Sequence, residues 1–215
     1  MRKLLFVIAV VVIGAINVNA TVWNPTNEFS ITNGNPNGVW SYGYMLFSGS
    51  DDGVVFSDFT LLPYCTTTYY GRFWGMDGGD IPSIWSNDTT DTAENVAPGQ
   101  LALHPGWGSQ AVVLRWTAPD SIADTISIVG EFFAGNDGQM LVGVLVNGEL
   151  VWSGTDCGTF DLSKSISTGD TVDFVVYADD ISSGATPIEV NITEIPEPAT
   201  IALLCLGVLS FVRRK

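Results

Sequence analysis

Between residues 21 and 195, apolar side chains recur at every second position in short runs. Each run is cut by Gly, Asn, Asp, Pro or Ser. That period builds a pleated, half-buried strand, whereas an amphipathic helix needs an apolar stripe with a period of 3.6. Val112, Leu114 and Trp116 share one face, with Val113 and Arg115 on the other,. Ile126, Ile128, Gly130 and Phe132 alternate in the same way. Residues 141–146 and 149–153 form the clearest pair, joined by Asn147-Gly148, a dipeptide that accepts the positive φ angles of a type I′ turn. Residues 171–177 put Val172, Phe174 and Val176 on one face, and residues 187–193 read as a last strand. Upstream, residues 39–47 are apolar and aromatic enough for a buried strand, while 48–100 hold only one or two convincing ones. The expectation is all-β: roughly eight to ten strands in a single jelly-roll-like β-sandwich domain over residues 21–195.

Hydrophobic residues make up 46% of the chain and charged residues 14%, so a core is available and the body is not a disordered segment. Charge is distributed unevenly. Five of the eight basic residues sit at the extremes, as Arg2, Lys3, Arg213, Arg214 and Lys215. Residues 21–198 keep only Arg72, Arg115 and Lys164 against all 23 acidic residues. So acidic a body repels phosphate backbones and excludes nucleic acid as a partner. It suits an exported domain and leaves divalent cations as natural partners.

The two ends have their own grammar. Arg2-Lys3 precedes an apolar run over residues 4–13, and Val18-Asn19-Ala20 offers a cleavage site. Residues 1–20 therefore read as a signal peptide cut after Ala20 by signal peptidase. At the other end stand Pro196-Glu197-Pro198, fourteen mostly apolar residues over 199–212, then Arg213-Arg214-Lys215. Fourteen helical residues reach about 21 Å, short of a ~30 Å hydrocarbon core. Such a transmembrane helix fits transient insertion better than a permanent span, with its basic end held in the cytoplasm.

Residues 196–215, with Pro196, Glu197 and Pro198 ahead of an apolar helix and a basic end, resemble the PEP-CTERM sorting signal. The resemblance implies processing by exosortase, an integral-membrane cysteine protease, and a link to exopolysaccharide or biofilm matrix. It implies a protein attached to the membrane before processing, then placed at the cell surface, outer membrane or extracellular matrix. It assigns a route and not an activity. Residues 35–44, 114–119 and 169–176 also resemble patches of secreted β-sandwich domains, some of them similar to carbohydrate-binding modules. No ligand residues carry over from that likeness.

Catalytic chemistry finds few parts. His104 is the single histidine, so any Ser-His-Asp or Cys-His arrangement must use it. Its setting, Leu103-His-Pro-Gly-Trp-Gly108, reads as a turn or strand end. No Gly-x-Ser-x-Gly elbow, zinc spacing or phosphate-binding loop occurs,. Glycoside hydrolysis needs only two carboxylates, yet most acids here are Asp in turns such as 51–53, 77–80 and 136–138,. Asp77 with Asp80, and Asp179 with Asp180, are the candidate ligands of a structural calcium ion. Cys65 and Cys157 either pair in an oxidising compartment or stay as free thiols.

Sugar rings stack on flat aromatic faces, and seven Trp with six Tyr is generous for this length,. Tyr69, Tyr70 and Trp74 lie in a Gly-rich stretch, and Trp85 and Trp107 lie near turns. These five are the candidate ligand-binding residues, Trp74 first among them. Trp40 and Trp116 alternate with core residues and should pack inside. The expected protein is exported and non-enzymatic, associating with extracellular polysaccharide through exposed aromatics. A structural or adhesive surface protein with no glycan site is one alternative. A polysaccharide-processing enzyme is the other.

Overall fold

The computed structural model describes residues 20–49, 53–77, 80–136, 140–178 and 184–196. Strands β1 (Val22–Trp23), β2 (Trp40–Ser48), β3 (Val55–Phe56), β4 (Thr60–Leu61), β5 (Tyr64–Thr67), β6 (Gly71–Met76), β7 (Asp80–Asn87) and β8 (Leu101–His104) form the first half. The second half holds β9 (Gln110–Thr117), β10 (Thr125–Phe132), β11 (Leu141–Val146), β12 (Glu149–Thr155), β13 (Gly158–Ser165), β14 (Thr171–Tyr177) and β15 (Thr186–Glu194). One helical turn, α1 (Pro25–Glu28), precedes β2. Its N-cap Asn24 accepts from the Asn27 amide, while Glu28 Oε1 accepts from the Asn24 amide at 2.8 Å,.

Two antiparallel sheets lie face to face. The larger runs β13-β10-β15-β8-β7-β6-β5, with β1 paired to the end of β15; the smaller runs β12-β11-β14-β9-β2-β3, with β4 also on β2. From β9 onward the chain crosses repeatedly between the sheets. Inward side chains of both fill one core: Trp40, Trp74, Leu103, Trp116, Phe132 and Phe174 are among them. Trp40 and Trp116 face each other across β2 and β9, and both are fully buried, as their alternation predicts.

The sandwich matches the sequence reading, but the strand count does not. Fifteen strands stand among the described residues, against the expected eight to ten. Five begin between residues 48 and 100, where one or two were expected. β3 and β4 are two-residue segments stitched to the edge of β2, too short to show a period. β6 and β7 are interrupted by Gly75 and Pro82, and both faces of β7 are buried, so they do not alternate,. The hairpin of β11 and β12 does turn on Asn147 (φ 51°) and Gly148 (φ 81°), as its sequence demands,.

The two ends of the described sandwich meet. The Glu194 amide donates to Thr21 O at 3.0 Å, and the Thr21 amide donates back to Glu194 Oε2 at 3.3 Å. Ala20 is exposed at this corner, and Pro196 leaves from it. Glu197, Pro198, Arg213, Arg214 and Lys215 lie outside the described residues, as does most of the signal peptide. Among the described residues, no helix is long and apolar enough to cross a membrane; the apolar segments 4–13 and 199–212 are not among them.

Candidate functional site

The five candidate aromatics divide. Trp74 points inward from β6, stacks on Tyr42 with centroids 6.0 Å apart, and donates its indole N–H to Ser30 O at 2.7 Å. It is 5% exposed. As a sugar platform Trp74 is therefore corrected to a core residue: the Gly-rich stretch is a strand, and Trp74 occupies its inner face. Trp107 is exposed on the β8–β9 loop and does not line the groove that the other three border. Tyr69, Tyr70 and Trp85 come together on the outer face of the larger sheet.

Their assembly starts from a tight turn. Thr68 and Gly71 exchange backbone hydrogen bonds at 2.8 and 3.3 Å, leaving Tyr69 and Tyr70 at the tip of the β5–β6 hairpin. Trp85 faces outward from β7, beside Phe73 of β6 and Ala102 of β8. Tyr70 lies on Trp85 with centroids 5.3 Å apart, and Tyr69 lies on Tyr70 at 3.8 Å. The result is a stair of three rings. Its lowest ring, Trp85, is 6% exposed, while Tyr69 at the top is 79% exposed.

A groove of about 370 Å³ runs beside the stair. Its far wall is the β7–β8 loop, residues 88–100, which is folded around Asn87. The buried Asn87 side chain donates to Asp91 O and Val96 O and accepts from Thr89. At the loop tip Glu94 (φ 50°) and Asn95 (φ 61°) adopt left-handed backbone, a conformation that costs a non-glycine residue and persists where surroundings hold it. The Asn95 side chain does so by donating to Gly135 O at 2.9 Å. The Glu94 carboxylate lies in the groove, accepting from Tyr70 Oη at 2.8 Å on one oxygen and from Asn136 Nδ2 on the other. Contact with Tyr69 and then with Glu94 holds the Tyr70 phenol well above its ordinary pKa.

His104 ends β8, as expected of it, and lines the same groove. Its Nδ1 lies 2.8 Å from Pro105 O. Burial pushes its pKa down, against smaller upward pulls from Pro105 O, Glu94 and Asp80. Among the described residues lining the groove, Glu94 is the single carboxylate. Glu94 and Asn136 were not singled out from sequence as ligand-binding residues. One signal was present: Glu94 is the one Glu between Glu28 and Glu131, and Glu lacks the turn-forming geometry that accounts for the Asp residues around it.

The remaining candidates lie elsewhere. Asp77 and Asp80 are exposed at the two ends of the β6–β7 connection, and Asp80 accepts from the Ile81 amide at 2.8 Å. No group of three or more His, Cys, Asp or Glu placed to hold a metal occurs among the described residues. Asp179 and Asp180 lie outside them. Cys65 and Cys157 are free. Cys65 is on β5 and Cys157 precedes β13, at opposite edges of the larger sheet. Six strand spacings, about 29 Å, separate those edges, far beyond disulfide reach.

These features define a β-sandwich with an aromatic groove on one outer face. Residues 194–215 match the family model described as the PEP-CTERM protein-sorting motif, so the chain carries that sorting signal after its sandwich. No curated protein matches the sequence as a relative. Among solved structures, a family 35 carbohydrate-binding module from Clostridium thermocellum is 14% identical over 40% of this chain and 78% of its own, at a TM-score of 0.27. A second, from Paenibacillus barcinonensis, is 15% identical over 45% and 79%, at 0.29. An Arthrobacter globiformis isomalto-dextranase complexed with panose covers 82% of this chain and 32% of its own, at 10% identity and 0.35. At such scores no residue correspondence follows, and the sandwich rests on its own sheet topology.

Proposed function

We propose that the protein is exported, sorted through its C-terminal motif by an exosortase, and held at the cell surface or in the extracellular matrix as a non-catalytic polysaccharide-binding module. The observation that carries the binding reading is the exposed Tyr69 ring, backed by Tyr70 and Trp85 at the rim of the groove. A sugar ring stacking there covers an aromatic face that is already rigidly supported, so little order has to be imposed on binding. Hydrolysis would need a second carboxylate roughly 5–10 Å from the first. The described groove residues offer Glu94 alone.

The meeting of Thr21 with Glu194 is compatible with the route. Both signals leave from one corner, so the folded body can be tethered by either without rearrangement. Signal peptidase cutting after Ala20 would leave the new α-ammonium of Thr21 beside the Glu194 carboxylate, closing that corner with an ion pair.

The test is a titration of the protein with the producing cell's own exopolysaccharide, following tryptophan fluorescence. A saturable shift lost in Tyr69→Ala and kept in Trp74→Phe supports the groove. A folded sample that shows no shift with any matrix fraction removes the binding reading and leaves a structural surface role. Running each titration with and without calcium tests whether binding depends on a cation.

A further inference from the structure

No Lys or Arg is among the described residues that line the groove. Arg72 forms a bidentate pair with Asp88, Nε to Oδ2 at 2.8 Å and Nη2 to Oδ1 at 3.0 Å. Arg115 is paired with Asp173 on the smaller sheet. Lys164 stands on β13, the far edge strand of the larger sheet. Glu94 thus accepts only from two neutral donors, a phenol and an amide. Each of its oxygens keeps a lone pair for a ligand, and the residue is exposed. The one titratable base nearby, His104, is held toward its neutral form by burial.

A carboxylate without a cation, set beside aromatic faces in a strongly acidic body, repels anionic sugars. Uronates and sulfated sugars would bring a like charge into the groove. An organic ammonium meets two attractive features at once: charge-assisted hydrogen bonds to Glu94, and the negative face of the exposed Tyr69 ring,. A metal ion is served poorly, because calcium asks for six to eight oxygen ligands and the described lining offers one carboxylate,.

Building on the reading of the groove as a glycan site, we propose that it selects an amino-sugar polysaccharide carrying free, protonated amines, one from which N-acetyl groups have been removed. The ammonium sits on Glu94 while the apolar face of the sugar ring lies on the tyrosine stair. Removing the acetyl group from such a polymer uncovers the feature that Glu94 reads, so a deacetylating reaction must precede binding.

The experiment compares three oligosaccharides of equal length on the full chain in neutral detergent micelles: a glucosamine tetramer, an N-acetylglucosamine tetramer and a galacturonate tetramer. The glucosamine tetramer should bind about tenfold more tightly than its acetylated counterpart, the gain expected of an ammonium over a neutral amide donor on the same carboxylate. The galacturonate should not bind. Glu94→Gln should erase the preference for the free amine, bringing the glucosamine and N-acetylglucosamine tetramers to similar affinities. Circular dichroism should show the variant folded. Equal or tighter binding of the acetylated or the acidic tetramer overturns the inference and leaves the glycan site standing. A preference that survives in Glu94→Gln overturns it too, because attraction would then come from the body's overall charge. Failure of all three tetramers and of the native exopolysaccharide removes the glycan site itself.

Discussion

The outer faces of the two sheets carry the same ingredients and treat them oppositely. Each holds an aromatic cluster with a carboxylate beside it, Glu94 on one and Asp173 on the other. On the larger sheet, Glu94 is exposed, accepts from neutral groups, and stands beside the open tyrosine stair. On the smaller sheet, Asp173 is fully buried and accepts from Arg115 Nε at 2.6 Å and Nη2 at 2.8 Å. Phe59 folds over from the β3–β4 edge and stacks under the Arg115 guanidinium, 4.1 Å from its ring centroid, while Phe56 meets Tyr177 edge-on at 5.4 Å. An aromatic cluster becomes a binding surface only where the chain leaves it unroofed and its charge unanswered. On the smaller sheet Arg115 answers the carboxylate and Phe59 covers the guanidinium, with a hollow of about 420 Å³ left beside them.

The largest effect should come from breaking the closed face. Arg115→Leu leaves the Asp173 carboxyl buried without its cation, and the loss should be about 3–5 kcal/mol in chemical denaturation near neutral pH. Burial already holds Asp173 above its ordinary 3.8, with Arg115 pulling it back down. A raised carboxyl pKa favours the folded state only while the group is protonated, so its contribution falls as pH rises above 3.8,. The Arg115→Leu deficit should therefore shrink in acid. Arg115→Leu with Asp173→Leu should recover most of the stability; a double variant as weak as the single one would contradict the account of the pair.

A smaller effect, about 1–3 kcal/mol, is expected of Gly43→Ala. A Cβ there would run into the Phe59 ring and the Thr60 carbonyl, lifting the roof from the smaller sheet. Binding at the opposite face should not change. A variant that gained polysaccharide binding on its newly opened face would sharpen the comparison, by showing that the roof alone separates the two.

How much of this was legible depends on whether each strand had one wet face. β10 does, and β11 with β12 turns on its own Asn-Gly dipeptide; β9 and β14 are buried on both faces, but Val112, Leu114 and Trp116, like Val172, Phe174 and Val176, still fall at every second position. β6 and β7 do not. At the base of the groove their outer face is partly covered by Tyr70 and by Ala93 and Val96 of the 88–100 loop, so Phe73 and Trp85 are nearly as buried as Trp74 and Ile84 on the inner face, and alternation vanishes. That is why Trp74 looked like a turn aromatic and proved to be core. The tyrosine stair was half legible, since Tyr69 and Tyr70 flag themselves, but their partners Glu94 and Asn136 arrive from loops 24 and 66 residues further along. No local pattern encodes that meeting. The sorting tail, by contrast, is read linearly, and it matched the family motif over residues 194–215.

On the open face, acid should act through His104. Burial depresses its pKa below 6.5 in the fold, so the unfolded chain takes up a proton first as pH falls. The stability this group supports is complete above 6.5 and declines on acidification through the depressed folded value,. His104→Gln should flatten that slope in denaturation curves measured between neutral and mildly acidic pH. An unchanged slope would place the titration elsewhere.

The smallest change in stability should accompany the clearest change in binding. Tyr69 is 79% exposed, and its ring rests on Tyr70 without sealing any core. Tyr69→Ala should shift the unfolding free energy by no more than about 0.5 kcal/mol, yet weaken polysaccharide binding by about tenfold through the lost stacking face. The matching variant on the other side, Phe59→Ala, should do the reverse: destabilise clearly, through loss of the cover over Arg115, and leave binding alone. Those two results together would separate a surface kept open for a ligand from one closed for stability. If Tyr69→Ala cost as much stability as Phe59→Ala, the tyrosine stair would be a roof as well, and the asymmetry between the faces would disappear.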